Sequence, residues 1–381
     1  MTARAHLQGI LMGIPFRYVV PVIVVFALLF FTWKPFSYTS YGPLTGLSNT
    51  VSQSSIDAGS LDHHLSSGPR RANATFIILC RNSDLEGIIH SVREIEDRFN
   101  RNFGYPYVFL DEEPFSEEFK GRISVISASS MEFGVIPPEF WYQPSWIDEE
   151  KAAAARKQMD ADNIIYGGSL SYRNMCRFNS GFFFRHPLVQ KYRYYWRVEP
   201  GVQFHCNIDS DPFLFLQDNN KTYGFTITLY EFESTIRSLW KTVQEFARLH
   251  PHYIHKDNAL AFISNDNGFN YNLCHFWSNF EIADMDFWRS DVYMSFFNFL
   301  DEKGGFYYER WGDAPVHSIA ASLFLPRDAI HFFDEIGYQH APYSHCPLNM
   351  ERWSRGRCSC DQQHSFDYDG YSCLARWESA I

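Results

Sequence analysis

From Ala74 onward, short apolar runs alternate with helical periodicity, and this alternation narrows the architectures open to the chain more than any other feature. Ala74-Thr-Phe-Ile-Ile-Leu-Cys80 is apolar, β-type in composition and too short for a helix, so it reads as a strand. Behind it, Ser83 and Glu86 have capping-box spacing, and Leu85, Ile88, Ile89, Val92, Ile95 and Phe99 recur on one helical face. Tyr105 to Leu110 and Ile123 to Ala128 read as the second and third strands, separated by a short acidic segment. Strand, helix, strand, helix, strand opens an α/β domain with a parallel sheet covered by helices. Such a sheet takes its ligand, often a nucleotide, at the carboxyl ends of its strands. No glycine fingerprint follows the first strand and no P-loop sequence occurs, so dinucleotide and P-loop sites lose their main support.

Upstream lies a different kind of segment. Tyr18 to Trp33 is an uncharged apolar run between Arg17 and Lys34, short for an average bilayer but within reach of a thin one. The bulky sequence Thr32-Trp-Lys-Pro-Phe36 offers no small-residue cleavage site, which favours an uncleaved signal anchor. Arg4 and Arg17 outnumber Lys34 and place the N-terminus in the cytosol. The expected organisation is a cytosolic tail (1–17), a transmembrane anchor (18–33), a flexible luminal stem rich in Ser, Thr, Gly and Pro (34–71) and a luminal catalytic domain (72–381). Two sequons, Asn73-Ala-Thr75 and Asn220-Lys-Thr222, suit a luminal location. So do eight cysteines, four of them in the last 36 residues, which favour disulfides over a zinc site at Cys358-Ser-Cys360. A net charge of -11 argues against nucleic acid as a partner, since polyanion binding needs basic patches.

Beyond Asn270 aromatic residues interleave with carboxylates and amides, a mixture that suits sugars or an aromatic core. Two acidic clusters each follow a strand-like run: Tyr194-Tyr-Trp-Arg-Val-Glu199 and Gln203-Phe-His-Cys-Asn-Ile-Asp209-Ser-Asp211. A carboxylate where a strand emerges is well placed to hold a hard divalent cation against the phosphates of a nucleotide sugar, and either cluster qualifies.

At this point the residues resemble a known family, the fungal Golgi α-1,2-mannosyltransferases of glycosyltransferase family 15. The matching segments are Arg81-Asn-Ser-Asp84, Ser171 to Phe178, Tyr195-Trp-Arg-Val-Glu-Pro200, Tyr271 to Ile282, Gly305 to Pro326 and Gly337-Tyr-Gln-His340, in family order. The resemblance implies a GT-A type fold with one large mixed sheet flanked by helices, GDP-mannose as donor, Mn²⁺ as cofactor, a mannose-terminated glycan as acceptor, and retention of the α configuration. It also implies that Glu199 and His340 hold the metal, that Glu281 is the proposed nucleophile, that Tyr172 lies on the sugar or metal side, and that Asp313 sits near the acceptor. Asp209-Ser-Asp211 then becomes a decoy or a substrate-side element. Arg81 and Arg173 are candidates for guanine or phosphate contacts.

Each candidate also has a structural reading. Glu281 between Phe280 and Ile282 suits a buried, hydrogen-bonded acid, Tyr172 suits packing, and Asp313 suits the N-cap of a helix over Val316 to Leu323. Two rival functions stand beside transfer: a catalytically silent Golgi lectin or scaffold, and a mannosylphosphate transferase of the same fold.

Overall fold

The computed structural model describes residues 70–381, so the tail, the anchor and nearly all of the stem expected from the sequence lie outside the described residues. Among the described residues no helix is long and apolar enough to cross a membrane.

Among the described residues twelve strands follow in chain order: β1 (Ala74–Leu79), β2 (Tyr107–Asp111), β3 (Met131–Val135), β4 (Tyr194–Val198), β5 (Gln203–Phe204), β6 (Tyr223–Phe225), β7 (Thr228–Tyr230), β8 (Cys274–Phe276), β9 (Glu281–Asp284), β10 (Ile330–Phe332), β11 (Tyr338–His340) and β12 (Tyr343–His345). Seven of them form the main sheet in the order β10-β6-β9-β4-β1-β2-β3. β1 pairs in parallel with β2 and β4, β2 with β3, and β10 with β6, whereas β9 runs antiparallel to both of its neighbours. The sheet is therefore mixed, as the resemblance implies. Side chains alternate between its faces. On β1, Phe76 and Ile78 enter one core and Ile77 the other; on β4, Tyr194 and Trp196 share the first core and Tyr195 the second.

The opening pattern holds, with two corrections. Leu85, Ile88, Val92, Ile95 and Phe99 are buried along the helix Leu85–Ile95 and its continuation. The capping box expected of Ser83 and Glu86 does not form: Asp84 accepts from the amide of Arg81 at 2.8 Å, and Glu86 pairs with Arg122 at 2.6 Å. The third strand is not Ile123 to Ala128. Ser116 caps a helix over Glu117–Ser124, whose Phe119 and Ile123 are buried one turn apart, and the strand follows at Met131–Val135. An apolar run too short to show its period was shared between a helix end and a turn.

Three disulfides tie the C-terminal segment down, Cys206–Cys358, Cys274–Cys373 and Cys346–Cys360, which removes the zinc alternative for Cys358 and Cys360. Cys80 and Cys176 remain as buried free thiols. Asn73 and Asn220 of the two sequons are both exposed.

Candidate active site

β4 delivers the centre of the site. Tyr195 and Arg197 project from the same face, and Glu199 follows where the strand ends. The corner after it is held tightly. Ser91 donates to the Glu199 carbonyl at 2.8 Å, the Gly201 amide donates to Gly87 at 3.1 Å, and Gly201 turns the chain with φ +80. A side chain at Gly87 would meet Pro200 at 3.1 Å, so the glycine lets this corner settle on the helix Leu85–Ile95.

Arg197 donates to Glu199 Oε1 at 2.5 Å and to Asp313 Oδ2 at 2.5 Å, and Ser278 donates to the same Asp313 oxygen at 2.8 Å. One nearly buried guanidinium thus joins a carboxylate of its own strand end to one from a distant helix. Burial alone would raise the Glu199 carboxyl, but Arg197 and His340 outweigh it and pull it down to about 2. His340, at the end of β11, brings Nε2 to 3.2 Å from Glu199 Oε2, while its Nδ1 faces the Ala341 carbonyl at 3.3 Å. Burial works to lower the His340 imidazole; its contact with Glu199 prevails and raises it. Trp277 meets the same ring edge-on at 5.1 Å.

Glu281 lies beneath this layer. It is directly opposite Arg197 in the β4–β9 register, 1% exposed, and both its oxygens are engaged. Tyr195 donates to Oε1, Tyr223 donates to Oε2 at 2.8 Å, and His317 Nδ1 lies 2.9 Å from Oε2. His317 Nε2 faces the Asn179 carbonyl at 3.1 Å, so both ring nitrogens meet an oxygen. Trp288 closes the network by donating to Tyr195 at 3.0 Å.

The other expected residues divide. Asp313 opens the helix Asp313–Phe324 but is not its side-chain cap; its carboxylate serves Arg197 and Ser278. Tyr172 stacks on Tyr166 with ring centroids 4.4 Å apart and lies under the Arg310 guanidinium at 5.1 Å. Burial pushes its hydroxyl well above the usual range. Arg81 stays exposed just past β1, reaching Ser171 and, at 3.8 Å, Glu112. Arg173 is placed otherwise than as a phosphate contact. It is fully buried, and its donors go to the carbonyls of Glu309 (2.9 Å), Gly167 (2.8 Å) and Ser169 (2.9 Å). It clamps the turn before its own helix, with burial lowering it to about 10. Asp211 is the N-cap of the helix Pro212–Asp218, accepting from the amides of Phe213 (2.9 Å) and Leu214 (3.1 Å) and from the Tyr105 hydroxyl (2.5 Å). The Asp-x-Asp look-alike is thus a capping element on the Asp211 side.

Sequence reasoning missed Arg197, Ser278 and His317. Arg197 had a usable signal, since two residues before Glu199 on a strand is the same face. Nothing local marks the other two.

Among the described residues no three His, Cys, Asp or Glu side chains cluster as a closed metal cage. Glu199 and His340 nevertheless fit an open divalent site. One carboxylate oxygen and one ring nitrogen face each other, and the second ring nitrogen is steered by a carbonyl, the usual support for a ligating histidine.

Known proteins resemble this chain over most of its length. A family model described as "Glycolipid 2-alpha-mannosyltransferase" (Glyco_transf_15) matches residues 47–381. The α-1,2-mannosyltransferase KTR1 of Saccharomyces cerevisiae is 52% identical over 310 residues, 81% of this chain and 79% of its own length. The O-glycoside α-1,2-mannosyltransferase omh1 of Schizosaccharomyces pombe is 52% identical over 312 residues, 82% of this chain and 80% of its own length. Among solved structures, the S. cerevisiae mannosyltransferase Ktr4p in complex with GDP superimposes with a TM-score of 0.78 at 43% identity, covering 81% of this chain and 82% of that one. Core-mannan synthase A from Aspergillus fumigatus in a Mn/GDP form gives 0.78 at 38% identity, covering 85% and 92%.

Proposed function

We propose, from the premise that this chain belongs to the glycolipid 2-alpha-mannosyltransferase family (glycosyltransferase family 15), that it transfers mannose from GDP-mannose in α-1,2 linkage to a mannose-terminated glycan. The single observation that carries this reading is the Glu199–His340 pair, 3.2 Å apart at the carboxyl edge of β4 and joined through Arg197 to Asp313. A donor leaving group and an acceptor must meet there, and the two carboxylates supply one group for each.

Glu199 and His340 would hold Mn²⁺, which when bound neutralises charge developing on the departing diphosphate. Arg197 keeps Glu199 ionised and turns Oε1 toward itself, leaving Oε2 for the cation. Asp313, whose Oδ2 is taken by Arg197 and Ser278, has Oδ1 left to orient the acceptor hydroxyl and take up its proton. Arg81, exposed past the end of β1, steers the anionic nucleotide. Tyr172 walls the sugar side beneath Arg310. Glu281 supports the site from below: a carboxylate accepting from two tyrosines and His317, with no open face, adds its charge opposite Arg197 on the neighbouring strand.

The relatives and the luminal signals support a Golgi type II arrangement, with residues 18–33 as anchor and 72–381 as the catalytic domain. The test is turnover of GDP-mannose and α-methyl mannoside with Mn²⁺, followed by NMR of the product. An α-1,2-linked dimannoside is expected. Hydrolysis alone, a mannosyl phosphate or no reaction overturns the reading.

A further inference from the structure

β10 ends at the same edge of the sheet as β4, because β10 and β6 are parallel and β9 is antiparallel to both β6 and β4. Three strand spacings separate β10 from β4, about 14 Å. Beyond the end of β10 opens a cavity of about 530 Å³ between the edge strand and the disulfide-tied C-terminal segment. None of the catalytic candidates lines it.

Its walls have two kinds of surface. Phe215, packed on His331 at 4.4 Å, and Tyr368, 58% exposed, contribute aromatic rings. Tyr368 is held in place by its hydroxyl, which donates to Glu378 at 2.9 Å. Most charges on the walls are already matched. Asp334 pairs with Arg352, and Asp367 with the buried His345 at 2.9 Å. Two groups are left over, the Glu335 carboxyl and the exposed Arg355 guanidinium, neither with a side-chain partner among the described residues. Burial lowers His331 to about 4, so its ring adds no positive charge, and the two arginines of the walls face the carboxylates of Asp334, Glu335, Asp367 and Glu378, which leaves no surplus of positive charge for an anion. Aromatic faces beside one planar acceptor and one planar donor suit an uncharged polyhydroxylated ligand, whose ring faces stack while its hydroxyl pairs bridge carboxylate and guanidinium. The volume lies within the range of small-molecule sites.

We propose that this cleft is a second carbohydrate site, a distal subsite that holds hexose units of a neutral acceptor glycan while the terminal sugar reacts beside Glu199. The proposal rests on the mannosyl-transfer reading for the identity of the glycan. The shared sheet edge links the two places: a chain leaving the catalytic edge crosses β9 and β6 to reach the cleft.

The experiment uses the full chain in detergent and compares kcat/KM for α-methyl mannoside with that for a linear mannotetraose. Variants are Tyr368→Ala, at an exposed ring, and the near-isosteric Glu335→Gln. Wild type is expected to prefer mannotetraose by about tenfold, equal to about 1.4 kcal/mol. Either substitution should cut that preference to within about twofold, leaving the monosaccharide kinetics unchanged. A preference that survives both substitutions, or none in wild type, overturns the subsite. Absence of any turnover in wild type instead sinks the transferase reading. Saturation-transfer NMR of mannotetraose without GDP or metal then decides on the cleft: a signal unaltered by Tyr368→Ala refutes it, and a strong loss upholds it.

Discussion

Two acidic clusters compete for the metal by sequence, and paired substitutions separate them by opposite effects on binding and stability. Asp211 accepts two backbone amides at the start of the helix Pro212–Asp218 and the hydroxyl of the buried Tyr105. Loss of an N-cap costs about 1 kcal/mol, and a buried hydroxyl left without its acceptor adds about 1–3 kcal/mol. Asp211→Ala should therefore destabilise the domain by about 2–4 kcal/mol and leave Mn²⁺-dependent GDP binding within a few-fold of wild type. Glu199→Ala should do the reverse. Arg197 keeps Asp313 and Ser278 as partners when Glu199 is gone, so the guanidinium is not orphaned and the loss of stability is about 1–2 kcal/mol. Metal-dependent GDP binding should vanish, and kcat should fall by roughly 100-fold or more, as for removal of one strong electrostatic group. Calorimetry of GDP with Mn²⁺ reads the first quantity, and urea unfolding of the metal-free protein reads the second. If binding is lost with Asp211 and survives without Glu199, the site has been placed on the wrong acid.

Arg173→Met should destabilise the fold by about 3 kcal/mol or more, because three buried carbonyls lose a donor, and leave the KM for GDP-mannose of the folded enzyme nearly unchanged; Arg81→Ala should raise that KM with melting temperature unaltered, and equal behaviour of the two refutes the division. Of the disulfides, Cys274–Cys373 closes a separation of 99 residues and Cys346–Cys360 one of 14, so chain entropy assigns about 4.7 and about 3 kcal/mol; paired Cys→Ser variants in denaturant should follow that order, and the reverse order counts against it. His331, lowered by burial from 6.5 to about 4, binds no proton in the folded state while the unfolded chain does, so stability should fall as pH drops from about 6.5 to about 4 and level off below. His331→Gln should flatten that slope relative to wild type in pH-dependent melts; an unchanged slope removes the assignment. A secreted fragment of residues 72–381 should fold and turn over substrate; an inactive fragment beside active full-length protein in detergent moves the boundary.

Much of the fold could be read from local pattern, and the failures have a common cause. β1 and the helix after it carry their own period, and their buried positions match it. Ile123 to Ala128 is too short to carry one, so the cap at Ser116 decided in favour of helix, and the chain waited until Met131 to re-enter the sheet. Arg173 shows the same limit from the other side. An arginine is ordinarily exposed, and only the fold reveals the three carbonyls in need of donors, two in the turn at Gly167 to Ser169 before its own helix and a third brought in from Glu309.

The site itself is long-range, and that is why only resemblance reached it. Glu199 and His340 meet because β11 pairs with β5, a two-residue strand just past Glu199, and no local spacing records that pairing. Asp313 reaches Arg197 because its helix packs over the face of β4 and β9 that carries Tyr195 and Glu281. Local chemistry points instead to Asp211, since a metal-binding aspartate and a helix-capping one look alike in one dimension: both are carboxylates at the end of a strand-like run. The partner of the carboxylate tells them apart. Asp211 faces backbone amides, which a cap satisfies and a metal site does not offer. Glu199 faces a cation on one oxygen and an imidazole nitrogen on the other, and that asymmetry leaves one oxygen for the metal while Arg197 occupies its mate. Arg197 is therefore the residue on which the site turns, because a neutral side chain there would leave Glu199 with His340 alone and Asp313 with Ser278 alone, two acids in one pocket without the cation that offsets their mutual repulsion.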